Sequence, residues 1–378
     1  MEMKFDAALR VPSEIFVGAD ALCEAMPAIA RCGRKALVVT GPHVGRSAMM
    51  QRLCSLLEAE RVEYVTFDGI TGEPTDEMIA TGVRVYRDAA CDFCIGIGGG
   101  SPLDSAKAIA AMTVCPGVIA DYNGRVIDCD MPRVVAIPTT AGTGSEVTKF
   151  TIVTDTRRGI KMLLKGDVLL PDVAVVDYTL GFSAPPRVTA ATGLDALTHA
   201  VESLLSVRAM PATDALAVAA VRRIMRYLPI AYRDGSNAEA REQMALAALE
   251  AGVCINNSSV TVVHGMSRPI GALFHVPHGT SNAILLATCL ADMEEAAREK
   301  YALLARAIGV PEGGFVAAVK ELCRVCEVPT LRELGIDREA FVAAIPKMSA
   351  DAIASGSPAN APKPYTATDC SRLYLTLE

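Results

Sequence analysis

No uncharged apolar run in this chain approaches the roughly 18 residues that a membrane-spanning helix needs. Met1 to Phe16 also lacks the apolar stretch of a signal peptide, so a cytoplasmic protein without a membrane partner is expected. Basic residues are in deficit, with 36 Lys and Arg against 43 Asp and Glu and a net charge of −7, which leaves polyanions no footprint and excludes nucleic acid as a partner. Fixed-period repeats and low-complexity tracts are absent. Disorder is excluded as well, because 51% hydrophobic residues over a chain of 378 supply core for two domains. Twelve cysteines without a secretion signal read as reduced thiols rather than a disulfide framework. Cys91-x-x-Cys94 and Cys323-x-x-Cys326 lie far apart, have no histidine at zinc-finger spacing, and read as buried thiols. Histidine is the scarce residue, with five copies, and its placement matters most.

The first half alternates short β-branched runs with amphipathic segments, the pattern of a parallel sheet covered by helices. Lys35 to Thr40, Glu63 to Phe67, Phe93 to Ile97, Arg133 to Ile137 and Val173 to Asp177 are the predicted strands. Glycines punctuate their ends, where open α/β sheets bind ligands. After Pro185-Pro186 the texture becomes helical almost to the end, with a loop at Gly356 to Pro364 before a short last helix. The division is an α/β dinucleotide-binding domain over 1–185 and an all-helical metal-binding domain over 186–378.

Three glycines, Gly98, Gly99 and Gly100, follow an apolar strand and precede Ser101 and Pro102 and a predicted helix from Ser105 to Met112. Bare backbone approaches an anion closely, and a helix start offers it free N–H groups and a positive dipole end. A second strand runs into Pro138-Thr-Thr-Ala-Gly-Thr-Gly-Ser-Glu146, whose hydroxyls suit phosphate and ribose oxygens. Two such loops point to a long phosphorylated ligand such as a dinucleotide; each alone also reads as an ordinary polar turn. The first strand ends in Gly41-Pro42-His43 with Arg46 close behind, where an acid to hold a ribose 2′-OH is missing and a 2′-phosphate has room.

Asp195 and His199 stand at i and i+4 and share one helix face. His264 sits in an apolar segment, and His278 is fixed between Pro277 and Gly279. One carboxylate and three imidazoles without thiolate suit Fe(II), Zn(II), Co(II) or Ni(II), in an open catalytic site rather than a closed structural one.

Gly98 to Lys107, Pro138 to Thr148, Leu170 to Asp177, Pro185 to His199 and Pro277-His-Gly279 together resemble the motifs of the iron-containing alcohol dehydrogenase family, related to glycerol dehydrogenase and dehydroquinate synthase. Pro12 to Gly18 and Lys363-Pro-Tyr-Thr366 extend the resemblance over nearly the whole chain. It implies a Rossmann-like domain that binds NAD or NADP, an all-α domain, and one divalent metal, Fe2+ or Zn2+, between them. The implied metal ligands are Asp195, His199, His264 and His278. Gly98 to Ser101 would contact the pyrophosphate, Asp104, Thr139, Thr140 and Thr143 the cofactor more broadly, and Lys161 and Leu180 its ribose or nicotinamide end. Gly41 stands where family members that use NAD commonly carry Asp, which leans the assignment to NADP. The resemblance also suggests pairing of the strand around Ile15-Phe16 across a homodimer or higher homo-oligomer.

One position departs from the family. Many members carry a second histidine four residues after the first, whereas this chain has Arg268. His264 and Arg268 share a helix face, and a guanidinium there would bind an anionic substrate group through its planar fork; the alternative is a salt-bridged structural arginine. His275 is a substitute for the missing proton-relay imidazole, with a solvated loop histidine as the alternative, and Phe150 and Ile255 are expected in the pocket wall. The function read from these residues is metal-dependent hydride transfer between a nicotinamide and a small alcohol or aldehyde. Alternatives are a lyase in the manner of dehydroquinate synthase and a nucleotide-binding protein without catalysis.

Overall fold

The computed structural model describes residues 8–377; Met1 to Ala7, the start of the stretch read for a signal peptide, lie outside them. Eight strands follow in chain order: β1 Glu14–Val17, β2 Lys35–Val39, β3 Glu63–Phe67, β4 Phe93–Gly98, β5 Val134–Pro138, β6 Phe150–Asp155, β7 Ile160–Lys165 and β8 Val173–Val176. Six form one parallel sheet ordered β1-β8-β5-β4-β2-β3, and β6 pairs with β7 in a separate antiparallel hairpin. The runs of Val, Ile and Leu suit this sheet because both its faces are covered. Leu37 and Val39 point to a core shared with Ile79 and Ile109, while Ala36 and Val38 point to the opposite one, with Leu22 and Leu53.

β2 and β4 are neighbours from which the chain turns to opposite sides of the sheet, and the crevice at their carboxyl ends is where such sheets bind ligands. Gly41 caps one and Gly99 begins the loop after the other. The expected strands are present; the β6–β7 hairpin was not foreseen. It is held from outside: Ile152 N–H donates to Asp104 Oδ2 at 2.8 Å and Thr151 Oγ1 to Asp104 O at 2.8 Å. Lys107, fully buried, donates to Ser145 Oγ at 2.8 Å and to the carbonyls of Thr148 and Phe150 at 3.0 Å. Burial pulls its ammonium down to about 8 against the pull of Asp104 and Glu146.

After β8 a short turn leads to Pro185, and a helix runs Pro186–Leu205 with proline in its first turn, where a missing N–H is harmless. The rest is helical, including Pro211–Arg233, Ala238–Ser258, Val262–Phe274 and His278–Met293, packed round one continuous apolar core. No single helix among the described residues is long and apolar enough to cross a membrane.

One cysteine expectation is corrected. Cys115 and Cys129 form a disulfide with Cα atoms 5.7 Å apart; the chain leaves the helix Gly100–Val114 and folds back, and a spacing of 14 carries no sign of that return. The other ten are free, among them both Cys-x-x-Cys pairs, with Cys91, Cys94 and Cys326 buried and Cys323 half-buried.

The two halves meet backbone to backbone. Gly144 holds φ +63°, and a Cβ placed on it would stand 2.4 Å from Gly252 Cα; one on Gly252 would stand 2.7 Å from Gly144 Cα. Val147, Ala174 and Val176 of the first half pack here against Leu249 and Val253 of the second. Gly252→Ala is therefore expected to lower stability by about 1–3 kcal/mol through overpacking, read as a lower urea midpoint.

Candidate active site

Gly98 and Pro138 are register partners at the ends of β4 and β5, so the two polar loops leave the sheet side by side. Thr139 N–H donates to Gly98 O at 2.8 Å. A Cβ on Gly100 would stand 2.8 Å from Thr143 Cγ2, which makes the glycine the reason the loops can touch. The helix starts at Gly100, five residues before the expected Ser105, and its first turn carries Ser101 and Pro102. Its unpaired N–H groups therefore begin directly at the glycines, as an anion cradle requires.

A cavity of about 210 Å³ opens from this cradle. Gly100, Ser101, Asp104 and Thr143 line one end, and Asp195, His199, His264 and His278 the other. Asp104 faces it, but Ser145 Oγ donates to Oδ1 at 2.5 Å and Ile152 N–H to Oδ2, so both carboxylate oxygens serve the framework first. Thr139 and Thr140 line a smaller neighbouring cleft with Asp177 and Tyr178. Lys161 lines the main cavity and pairs with Glu73 at 2.6 Å, a partner the sequence reading did not supply. Leu180 is corrected: its side chain is buried with Ile97 and Val135 in the core of the sheet and lines neither cavity. Gly41 ends β2 at the same edge, and a Cβ there would stand 2.8 Å from Ile70 O.

Phe150 and Ile255 both line the cavity, from β6 and from the helix Ala238–Ser258. Arg268 lines it too, one turn along the helix Val262–Phe274 from His264. No carboxylate pairs with it among the described residues; Nη1 donates to Ser357 Oγ at 3.0 Å. His275 is corrected as a pocket candidate: it takes φ +55° at the end of that helix and is exposed, because the chain must turn there to start the next helix at His278.

The four metal candidates converge. Asp195 Oδ1 lies 3.7 Å from His199 Nε2, 3.7 Å from His264 Nε2 and 3.8 Å from His278 Nε2. Asp195, His199 and His264 are buried, and three helices supply the set. Burial alone would raise the Asp195 carboxyl, but the surrounding imidazoles and the Asn282 amide outweigh it and hold it below the usual carboxylate range. Burial pushes His264 well below the ordinary imidazole value, with His199 and His278 adding to it, and lowers His278 as well. His264 and His278 thus favour the neutral form, whose lone pair a metal takes.

Two residues that sequence reasoning missed complete the site. Glu202, with no exposed surface, accepts from His264 Nδ1–H, from Thr261 Oγ1 at 2.6 Å and from Val263 N–H at 2.7 Å. The carboxylate fixes the tautomer that leaves Nε2 free, the usual outer support of a metal-bound imidazole. Asn282 directs its amide nitrogen at Asp195 Oδ1 at 2.7 Å, His264 Nε2 at 3.1 Å and His278 Nε2 at 3.3 Å, while its own Oδ1 has no partner. Acceptor atoms from three ligands aimed at one point fit a divalent cation. Both residues carried a faint signal, Glu202 three residues after His199 and Asn282 four after His278, each one helical turn from a ligand. Glu202→Gln is expected to weaken metal affinity about 10–100-fold, measured by titrating metal into stripped protein.

The family described as iron-containing alcohol dehydrogenase matches residues 12–178, and the one described as Fe-containing alcohol dehydrogenase family, C-terminal, matches residues 189–377. Alcohol dehydrogenase 4 of Schizosaccharomyces pombe is 36% identical over 361 residues, covering 93% of this chain and 85% of the yeast protein. The crystal structure of a 1,3-propanediol oxidoreductase superposes with a TM-score of 0.94 at 33% identity, covering 98% of this chain and 99% of that one. Sulfoacetaldehyde reductase from Bifidobacterium kashiwanohense, in complex with NAD+, superposes with a TM-score of 0.89 at 28% identity, with 98% of each chain covered. This chain belongs to the iron-containing alcohol dehydrogenase family, an oxidoreductase family that works with a nicotinamide dinucleotide and a metal ion.

Proposed function

We propose that the chain catalyses reversible hydride transfer between a nicotinamide dinucleotide, NADP(H) in preference to NAD(H), and a small alcohol or aldehyde with an anionic group at the end that faces Arg268. One observation carries this reading: a single cavity joins the glycine cradle to the three-imidazole, one-carboxylate set. When bound, an Fe2+ or Zn2+ ion supplies Lewis acidity at the substrate oxygen, and the nicotinamide supplies or accepts the hydride.

The chain's own residues do the positioning. Asp195, His199, His264 and His278 would hold the ion, and Glu202 fixes the orientation of the His264 ring. The helix N-terminus at Gly100 and Ser101 would hold the phosphates of the dinucleotide at one end of the cavity whose other end carries the imidazoles. Phe150 and Ile255 wall the space between, which keeps water from the reacting carbons and holds them in contact. Membership of the family replaces the reading without catalysis, and no residue lining the cavity favours the lyase alternative over the dehydrogenase.

The NADP preference rests on Gly41, which puts no carboxylate at the end of β2, and on His43 and Arg46, both exposed just beyond it. A homodimer is part of the same proposal, because β1 pairs with β8 on one side and forms an edge of the sheet.

Stripping the protein with a chelator is expected to lower turnover of short aldehydes at least about a hundredfold, with recovery on adding Fe2+ or Zn2+; an unchanged rate overturns the mechanism. Gly41→Asp is expected to shift the kcat/KM ratio of NADPH over NADH at least about tenfold towards NADH, by setting a carboxylate against the 2′-phosphate. Steady-state kinetics with both cofactors measures it, and equal use of the two by the unaltered protein overturns the preference.

A further inference from the structure

We infer that Arg268, Ser357 and Ser259 form a three-donor subsite for a three-oxygen anion, so that the substrate is a short aldehyde or alcohol ending in a sulfonate or phosphonate. This rests on the dehydrogenase reading and names its substrate class.

All three side chains line the cavity that holds the metal ligands. The Arg268 Nε–H is buried without a partner among the described residues. Glu202 is the acid whose charge reaches this guanidinium, and its oxygens are already taken by His264, Thr261 and Val263. Ser357 Oγ accepts from Arg268, and Ser259 Oγ accepts from Asn360 Nδ2 at 3.2 Å; among the described residues neither hydroxyl donates to anything. The guanidinium and the two hydroxyls therefore line one space with donor capacity that no protein acceptor takes up among the described residues, and a ligand anion can supply the missing acceptors.

The frame that collects them is specific. A Cβ on Gly265 would stand 2.7 Å from Pro358 Cγ, so the turn Pro358–Asn360 sits directly on the helix that carries His264 and Arg268. The same turn sets Ser357 at its start and reaches back through Asn360 to Ser259 Oγ and, at 3.0 Å, Val260 O. Ser259 holds φ +69°, a strained conformation for a residue with a side chain, and strain of this kind persists where surrounding contacts over-determine it. A methyl end would leave the donors unpaired, and a sulfonate or phosphonate offers each donor its own oxygen, whereas a carboxylate must share one oxygen between two of them. Arg268 lies one turn from His264 on the same helix and lines the same cavity as the metal ligands, so a short chain joins the anion to the reacting oxygen.

The test uses three aldehydes of equal length, ending in methyl, carboxylate or sulfonate, and propane-1-sulfonate as an unreactive probe whose binding to metal-free protein is followed by calorimetry. The expected kcat/KM order is sulfonate over carboxylate over methyl, with propane-1-sulfonate bound. Arg268→Gln should abolish probe binding and lower the sulfonate-to-methyl ratio about a hundredfold; Ser259→Ala or Ser357→Ala should each lower the sulfonate-to-carboxylate ratio about fivefold. If Arg268→Gln melts early, the two serine variants and the probe decide the question. Equal handling of methyl and sulfonate aldehydes, a carboxylate that matches the sulfonate, or failure of the probe to bind overturns the inference. So does an Arg268→Gln variant that raises the KM for the dinucleotide and leaves the ratios alone, since the guanidinium would then serve a cofactor phosphate. Absence of turnover with every aldehyde, beside probe binding that needs Arg268, supports the subsite and instead defeats the dehydrogenase reading.

Discussion

The rest of the site depends on a buried carboxylate with three imidazoles gathered round it. Asp195 cannot keep its charge away from water unless donors or a cation surround it, and within the protein the Asn282 amide is the donor it has. The surrounding arrangement follows from this need. Glu202 must be buried to reach the back of His264, so Thr261 and the Val263 N–H must satisfy it, which fixes where the helix Val262–Phe274 begins. That start in turn sets Arg268 one turn further on, in the cavity.

Much of this was legible from residues in series. Asp195 and His199 announce a shared helix face by their spacing, and the glycine loop becomes legible as an anion cradle once a second polar loop, Pro138 to Glu146, follows another strand. The strand pattern pointed to the sheet because the inner strands of a parallel sheet covered on both faces, such as Phe93–Gly98 and Val134–Pro138, are apolar throughout.

The rest was hidden because it depends on pairings between distant segments. The β6–β7 hairpin owes its place to Asp104 and Lys107, more than 40 residues earlier in the chain, so its own sequence does not proclaim it. Asp104 was expected towards the cofactor, yet both its oxygens are claimed by the hairpin and by Ser145. Leu180 follows the right strand for a cofactor contact, but its side chain turns inward, a choice between two faces that composition cannot make. The Cys115–Cys129 bridge likewise depends on a fold-back that spacing does not encode.

Lys107 has a consequence for how this region assembles. Its ammonium can leave water only where Ser145, Thr148 and the Phe150 carbonyl are already in place to receive it. A partly folded state with the glycine-loop helix docked and the hairpin loose would bury that charge short of its Phe150 acceptor, a disfavoured arrangement. The glycine-loop helix and the strand that carries Phe150 into the cavity are therefore coupled in their ordering. Local opening of either should expose the backbone amides of both to exchange together.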